Sequence, residues 1–323
     1  MQNLDVSVIL TTYNSEKTVE RAFKSIINQK GNFNFEVVIV DDGSKDKTID
    51  IIRLLAKNHT NVKIVLQKNS GLSAARNNGM INANGKYFMF SDDDDEYLPN
   101  YINQMLKYSV NTKLVVAGIK KQFPNGNIVE ETKSIFENNK SNKQMIEKYL
   151  VDNHELDVGA WNKLYSSDVI KNNKLEFVNK TFFEDSLFIL KYISVISFDE
   201  VSFIDHPYYL IHKRNGSITN SFEPKLFEKC EKFINDTAYV LNENGYKNKP
   251  KYFSSFKART ILFYVHRSIL NDNNWTAYQQ KKVLKKYLNF STIYYLPLKY
   301  KVALILATLM PEKYIQFYKN KKW

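Results

Sequence analysis

The chain has 323 residues and 37.9 kDa, with 43% hydrophobic and 25% charged residues, a composition ordinary for a globular protein and too apolar for a disordered one. Its 46 Lys and Arg against 34 Asp and Glu leave +12; residues 281–323, with ten Lys, no Arg and one acid (Glu312), carry +9 of it, and the first 280 residues carry +3. The single cysteine, Cys230, excludes an intrachain disulfide and a Cys-rich metal site, and it fits a reducing compartment.

The opening MQNLDVSVILTTYN lacks a basic stretch followed by an apolar one, so no signal peptide is expected. Val6–Leu10 is short, apolar and β-branched, the pattern of a buried strand. Asn14 or Ser15 is placed to cap a helix whose apolar positions Val19, Ala22, Phe23, Ile26 and Ile27 share one face. Glu36–Val40 reads as a second strand, closed by Asp41-Asp42-Gly43-Ser44, and a helix follows over about 46–57. Val62–Leu66 is a third strand. Asn69-Ser70-Gly71 is a turn, and Ser73 can cap a helix over 74–83. Tyr87–Phe90 is a fourth strand, running into Ser91 and then Asp92-Asp93-Asp94-Asp95-Glu96.

Strand–helix alternation over about 90 residues argues an α/β fold with a mostly parallel, doubly wound sheet. Ligands of such sheets bind beyond the carboxyl ends of the strands, where three polar clusters fall: 11–14, 41–44 and 92–95. No G-x-G-x-x-G follows the first strand and no G-x-x-x-x-G-K-[ST] occurs, which argues against a dinucleotide dehydrogenase and a P-loop enzyme. Carboxylates packed like residues 92–96 repel one another unless a cation sits among them. Counted from Asp92, the sixth position is Tyr97 and the twelfth Asn103, so this is not an EF-hand loop. A few oxygen ligands suit Mg²⁺ or Mn²⁺ shared with a diphosphate; the plainer reading is a solvated acidic loop.

The segments VSVILTTYN (6–14), EVVIVDDGSKD (36–46), NSGLSAARNNGM (69–80) and GKYFMFSDDDDEYLP (85–99) together resemble the nucleotide-sugar half of the GT-A fold in family 2 glycosyltransferases. AWNKLYSSDVI (160–170), FFEDSLF (182–188) and YYLIHKRNGSIT (208–219) resemble its acceptor half. The resemblance is to bacterial enzymes of capsular, exopolysaccharide or teichoic-acid glycan synthesis. It implies a catalytic domain over 1–220 (nucleotide half 1–98, acceptor half 99–220) and a helical region over 221–323.

The resemblance also implies roles. Thr11, Tyr13 and Asp42, with Asp41, would hold uracil and ribose, and Asn69 and Arg76 would border that pocket. Asp92 and Asp94 would be the D-x-D, with Asp94 the direct metal ligand and Asp92 nearer the ribose and sugar. Asp93, where relatives carry Ser, is expected to point away from the metal on the nucleotide side. Asp185 would be the base that takes the acceptor proton, its pKa raised by the acidic cluster, with Glu184 orienting Asp185 or binding the acceptor; both also suit the first turn of a helix over 186–193. His212 and Arg214, alternate residues sharing a side, would touch the diphosphate, and Trp161 would floor the sugar-acceptor site, a role that competes with core packing.

The activity implied is a metal-dependent, inverting transfer from a UDP-sugar to a lipid-linked or polymeric surface glycan. Rivals are a transferase acting on a free lipid phosphate and an inert GT-A scaffold. Helices are expected over 223–242 and 250–271. Beyond them, residues 281–323 combine Lys, aromatic and apolar residues, broken by Pro297 and Pro311 into short helices. The longest nearly apolar run, Val302–Met310, is far short of the roughly 20 residues of a spanning helix. Such segments rest in a membrane interface, which places the protein in the bacterial cytoplasm against the inner face of the membrane. A homo-oligomer contact is the second reading of the tail. Nucleic acid is not expected, since no recognition fold accompanies the lysines.

Overall fold

The computed structural model describes residues 4–179, 182–214, 223–246 and 252–320. The chain forms two compact units, one of Met1–Met145 with His154–Arg214, the other of Ile146–Asn153 with Asn215–Trp323.

The first unit opens with β1 (Val6–Thr12), α1 (Val19–Ile27), β2 (Phe35–Asp41), α2 (Thr48–Ala56), β3 (Val62–Leu66), α3 (Leu72–Asn82) and β4 (Tyr87–Asp92). It continues through β5 (Glu96–Tyr97), α4 (Tyr101–Lys107), β6 (Leu114–Gln122), β7 (Ile128–Glu131) and α5 (Asn142–Val151), whose end belongs to the second unit. Then follow α6 (Glu155–Val158), β8 (Lys163–Ser166), α7 (Ser167–Asn172), α8 (Glu184–Ile193) and β9 (Val201–His212). Among the described residues these strands make one nine-stranded sheet in the order β3-β2-β1-β4-β8-β6-β9-β5, with β7 on β6.

The run β3-β2-β1-β4 is parallel, as the strand–helix alternation requires. β8 joins antiparallel to β4 and to β6, while β6 and β9 pair in parallel through a register shift around Gly118. The GT-A architecture is therefore a parallel half continued by a mixed half. Register aligns the strand ends that matter: Thr12 lies beside Asp41, and Thr11 beside Asp92. β1 and β2 are central and buried from Val6 to Leu10 and from Val37 to Val40. α3 lies close on β1, since a Cβ on Gly79 would come within 2.3 Å of Ile9. α1 starts at Val19 with Thr18 as its N-cap, later than Asn14 or Ser15 would cap it. Those two residues are drawn into the neighbouring loop, Asn14 N–H donating to Ser44 Oγ (2.9 Å) and Ser15 N–H to Thr48 Oγ1 (2.8 Å). α3 likewise begins at Leu72 with Gly71 as its N-cap, and the Ser73 hydroxyl donates to the Val178 carbonyl instead (3.1 Å).

The second unit is helical: α9 (Leu226–Glu243), α10 (Phe253–Asn271), α11 (Ala277–Leu284), α12 (Phe290–Tyr295), α13 (Leu298–Leu309) and α14 (Pro311–Asn320). Phe233 and Phe256 meet edge to face at 5.3 Å between α9 and α10. The basic tail is part of this core. Leu284, Leu296, Leu304, Ala307 and Tyr314 are buried, and Gln280 Nε2 donates to the Ala307 carbonyl at 2.8 Å. Pro297 caps α13 and Pro311 opens α14, positions where a missing N–H costs nothing. No helix among the described residues is long and apolar enough to cross a membrane.

Candidate active site

Asp41 and Asp42, adjacent at the end of β2, do different work. Asp41 accepts from Gly43 N–H (3.0 Å), Ser44 N–H (2.9 Å), Ser44 Oγ (2.6 Å) and Thr12 Oγ1 (3.1 Å). Those four bonds use a carboxylate's roughly four acceptor positions, so Asp41 holds its own turn and offers nothing further to a nucleotide. The turn needs Gly43, whose φ is +77° and whose Cβ would stand 2.9 Å from Asn69 N. Asp42 anchors the facing loop, accepting from Gln67 Nε2 (2.7 Å), Ser70 N–H (2.8 Å) and Gly71 N–H (2.8 Å). Its Oδ2 carries only the Gly71 bond and retains lone-pair capacity, although the residue is 4% exposed. Asn69 stands exposed in that loop. Thr11 is buried at the end of β1, and the Tyr13 side chain beyond it is 47% exposed.

The acidic run splits by direction. Asp92, the last residue of β4, receives Arg76 on Oδ1 (2.8 Å), and its N–H donates to Tyr209 Oη (3.3 Å). Asp93 turns away toward the β1 loop, accepting from Tyr13 N–H (3.0 Å). Burial pushes its pKa up to about 7 against that bond. Asp94 is raised by burial and by Asp92, and the Arg214 guanidinium paired with it pulls it back. Asp95 is held well above the usual carboxylate range by burial and Asp94, and it accepts His212 N–H at 3.0 Å. Glu96 bridges Arg21 Nε (3.2 Å) and His212 Nε2 (2.6 Å). Thus His212 and Arg214 share a side, both against the acidic run, while Lys213 points to Glu155. The end of the segment YYLIHKRNGSIT, residues 215–219, lies outside the described residues.

Glu184 and Asp185 open α8. Asp185 Oδ1 pairs with Arg76, and its Oδ2 accepts Ala160 N–H at 3.1 Å. Its pKa is raised, but burial is the first cause; Arg76 opposes it and Asp92 adds to it. The acidic cluster is therefore the lesser reason. Burial, then the Asp185 charge, lift Glu184 to about 7.

Two residues stand where the sequence does not put them. Arg76 is 1% exposed and forks, one terminal nitrogen on Asp92 and the other on Asp185, with its Cζ 5.2 Å over the Phe177 ring. It is a tie between two carboxylates rather than a wall of the nucleotide pocket. Trp161 is 7% exposed and stacks on Tyr209 at 4.8 Å and 16°. That ring is core, and sugar has no access to its face. Sequence reasoning missed Tyr209, which supports both Asp92 and Trp161, and Lys163, buried beside the Ala160 loop; the only signal was their place in the motifs YYLIH and AWNKLY.

The geometry assembles several carboxylates, among them the half-buried Asp185, with cationic partners beyond the carboxyl ends of parallel strands. Known proteins with this chain's features agree. EpsH of Bacillus subtilis (strain 168), a protein named as a glycosyltransferase, is 29% identical over 302 residues, covering 91% of this chain and 84% of its own. The cholesterol galactosyltransferase of Borreliella burgdorferi is 26% identical, covering 86% and 81%. The crystal structure of S. aureus TarS 1-349 in complex with UDP-GlcNAc matches with a TM-score of 0.64 at 20% identity, covering 98% of this chain and 90% of that one, a likeness of fold. The profile described as Glycosyl transferase family 2 matches residues 7–173, just over half the chain. The chain is a glycosyltransferase and belongs to glycosyl transferase family 2.

Proposed function

We propose that this glycosyltransferase moves a sugar from a UDP-sugar to a bacterial surface glycan, lipid-linked or polymeric, with inversion at C1. The observation that carries the reading is the Arg76 fork, which fixes the candidate base Asp185 against Asp92 of the D-x-D. Asp185 takes the proton of the attacking acceptor hydroxyl, and Glu184 beside it orients the acceptor. Tyr13, with its exposed ring, stacks on the uracil, and the open position on Asp42 Oδ2 receives the base N–H.

Asp92 and Asp94 fit a hard divalent ion: an oxygen-only pair, each balanced here by a guanidinium, Arg76 and Arg214. No three His, Cys, Asp or Glu among the described residues converge as a cation cage. One or two carboxylates plus substrate phosphates are how Mg²⁺ is usually held. Bound there, Mn²⁺ or Mg²⁺ would neutralise charge on the departing diphosphate. Arg214 and His212, which face the acidic run, would meet the same diphosphate. A panel of UDP-sugars, with UDP release measured with and without Mn²⁺, tests the reading. No release from any donor while UDP still binds favours an inert scaffold, and transfer to a free lipid phosphate alone favours the other rival.

Tyr13→Ala is expected to weaken UDP binding by roughly tenfold, the value of one stacked base. Calorimetry reads it, and unchanged affinity rejects the stacking role.

The tail sets the location. Phe290, Leu298 and Leu309 are exposed, and so are Lys281, Lys282, Lys285 and Lys286 in the same tail. This combination suits an anionic membrane surface on the cytoplasmic face. Truncating at Gln280 is a poor test, because Leu284, Leu304 and Tyr314 belong to the core. The full chain with those four lysines changed to Gln should lose about 4 kcal/mol of binding to anionic vesicles, at about 1 kcal/mol each. Equal sedimentation of both proteins with the vesicles contradicts it. Self-association through the same face is the competing reading, and a solution mass measurement separates the two.

A further inference from the structure

Lys163, the first residue of β8, is fully buried. An ammonium has three donors and no acceptor, and a buried one is costly unless all three are used. Here they are: Lys163 Nζ donates to the Leu156 carbonyl (2.7 Å), the Gly159 carbonyl (2.6 Å) and Asn162 Oδ1 (2.8 Å). All three acceptors belong to the stretch 156–162. That stretch is clamped elsewhere too, by Asn162 Nδ2 on the Ala117 carbonyl (2.7 Å) and Tyr165 Oη on the Ala160 carbonyl (3.2 Å). Burial pushes Lys163 down to about 7, against the charges of Asp157 and Asp185. Three acceptors within 2.8 Å require three N–H groups, so the geometry holds the ammonium form.

One peptide group in the stretch faces both ways. The Gly159 carbonyl receives Lys163, and the N–H of the same peptide, on Ala160, donates to Asp185 Oδ2 at 3.1 Å. The peptide is planar and trans, so its carbonyl and N–H point in opposite directions and polarise together. A cation on the carbonyl strengthens the N–H as a donor. We propose that Lys163 is a positioning residue that acts on Asp185 through the Gly159–Ala160 peptide, fixing and stabilising the carboxylate from the side opposite Arg76. Asp185 is then held at both oxygens, Oδ1 by a guanidinium and Oδ2 by a lysine-polarised amide.

This inference rests on Asp185 being the base, and the test separates the two. In uniformly ¹⁵N-labelled full-length protein the Lys163 Nζ signal and the Ala160 amide proton should both shift in Asp185→Asn. Signals unchanged by that substitution overturn the coupling, whatever the kinetics. Full transfer by Asp185→Asn with the shifts present removes the base and leaves the coupling standing. In Lys163→Met, kcat should fall about 10- to 100-fold, the scale of one charge-assisted bond, with UDP affinity unchanged. The same change in an Asp185→Asn background should cost nothing further. Additive losses mean Lys163 is merely structural, and they overturn the proposal. The nuclear resonance measurement does not need the Lys163 variant, so it decides the matter even where Lys163→Met fails to fold.

Discussion

Asp185→Asn is expected to lower transfer by about 10²–10⁴-fold, the usual contribution of a positioned base, while UDP and Mn²⁺ binding are retained. Asn has the shape of Asp, so its oxygen can still accept the Ala160 N–H, and Arg76 keeps its bond to Asp92. What is lost is the negative charge that takes the proton. The pH dependence follows from the same geometry. Burial raises the Asp185 pKa, Arg76 draws it back, and Glu184 beside it, lifted to about 7, titrates with it as a pair. With Asp185 as the proposed base, transfer should need its carboxylate, so wild-type kcat is expected to fall as pH drops through that raised value, above the ordinary carboxylate range. Rates of wild type and variant from pH 5 to 9, with calorimetry for UDP, check both statements. Full transfer by the variant, or an acid limb at an ordinary carboxylate pKa, contradicts the assignment.

The parallel half of the fold is legible because its strands are plain. Val6–Leu10 and Val37–Val40 are β-branched, buried on both faces and closed by polar clusters. The mixed half is not. β6 passes from LVVAG to KKQ within one strand, since it leaves the core partway, and a bulge at Gly118 breaks its register with β9. β9 carries Asp205, His206 and Pro207 in its middle, which reads as a loop until its neighbours are known.

The site divides in the same way. The strand-end carboxylates were readable from position alone, because parallel strands bring their carboxyl ends together. Their division of labour was not. Asp41 and Asp42 are adjacent and chemically identical, and only the hydrogen-bond count separates a residue spent on its own turn from one with an open position. The lysine–peptide–aspartate chain was invisible for a related reason. It runs through a backbone amide, which no side-chain motif records.

Arg76 is the residue whose loss should be felt most widely. Its partners lie 16 and 109 positions away, so no local pattern announces its role as a tie between them. Removing one partner of a fully buried ion pair costs about 3–5 kcal/mol, and here that is an upper bound, because Asp92 and Asp185 keep 27% and 22% of their side chains in water. Arg76→Met should therefore destabilise the protein by up to that amount and abolish transfer, since Asp92, Glu184 and Asp185 are left repelling one another. The sign with pH distinguishes this from lost packing over Phe177. Carboxylates with folded pKa values above their unfolded ones favour folding below the unfolded value, and that advantage is lost as pH rises through the folded value. Arg76 lowers both Asp185 and Glu184, so its removal lifts them further. The deficit against wild type should then be large at pH 8 and shrink toward pH 5, where the carboxyls take up protons. Urea denaturation of both proteins at the two pH values measures it, and an equal deficit at both assigns the loss to packing. Arg76→Lys should recover only part of the stability, because a single ammonium cannot span two carboxylates that a planar fork reaches with separate nitrogens.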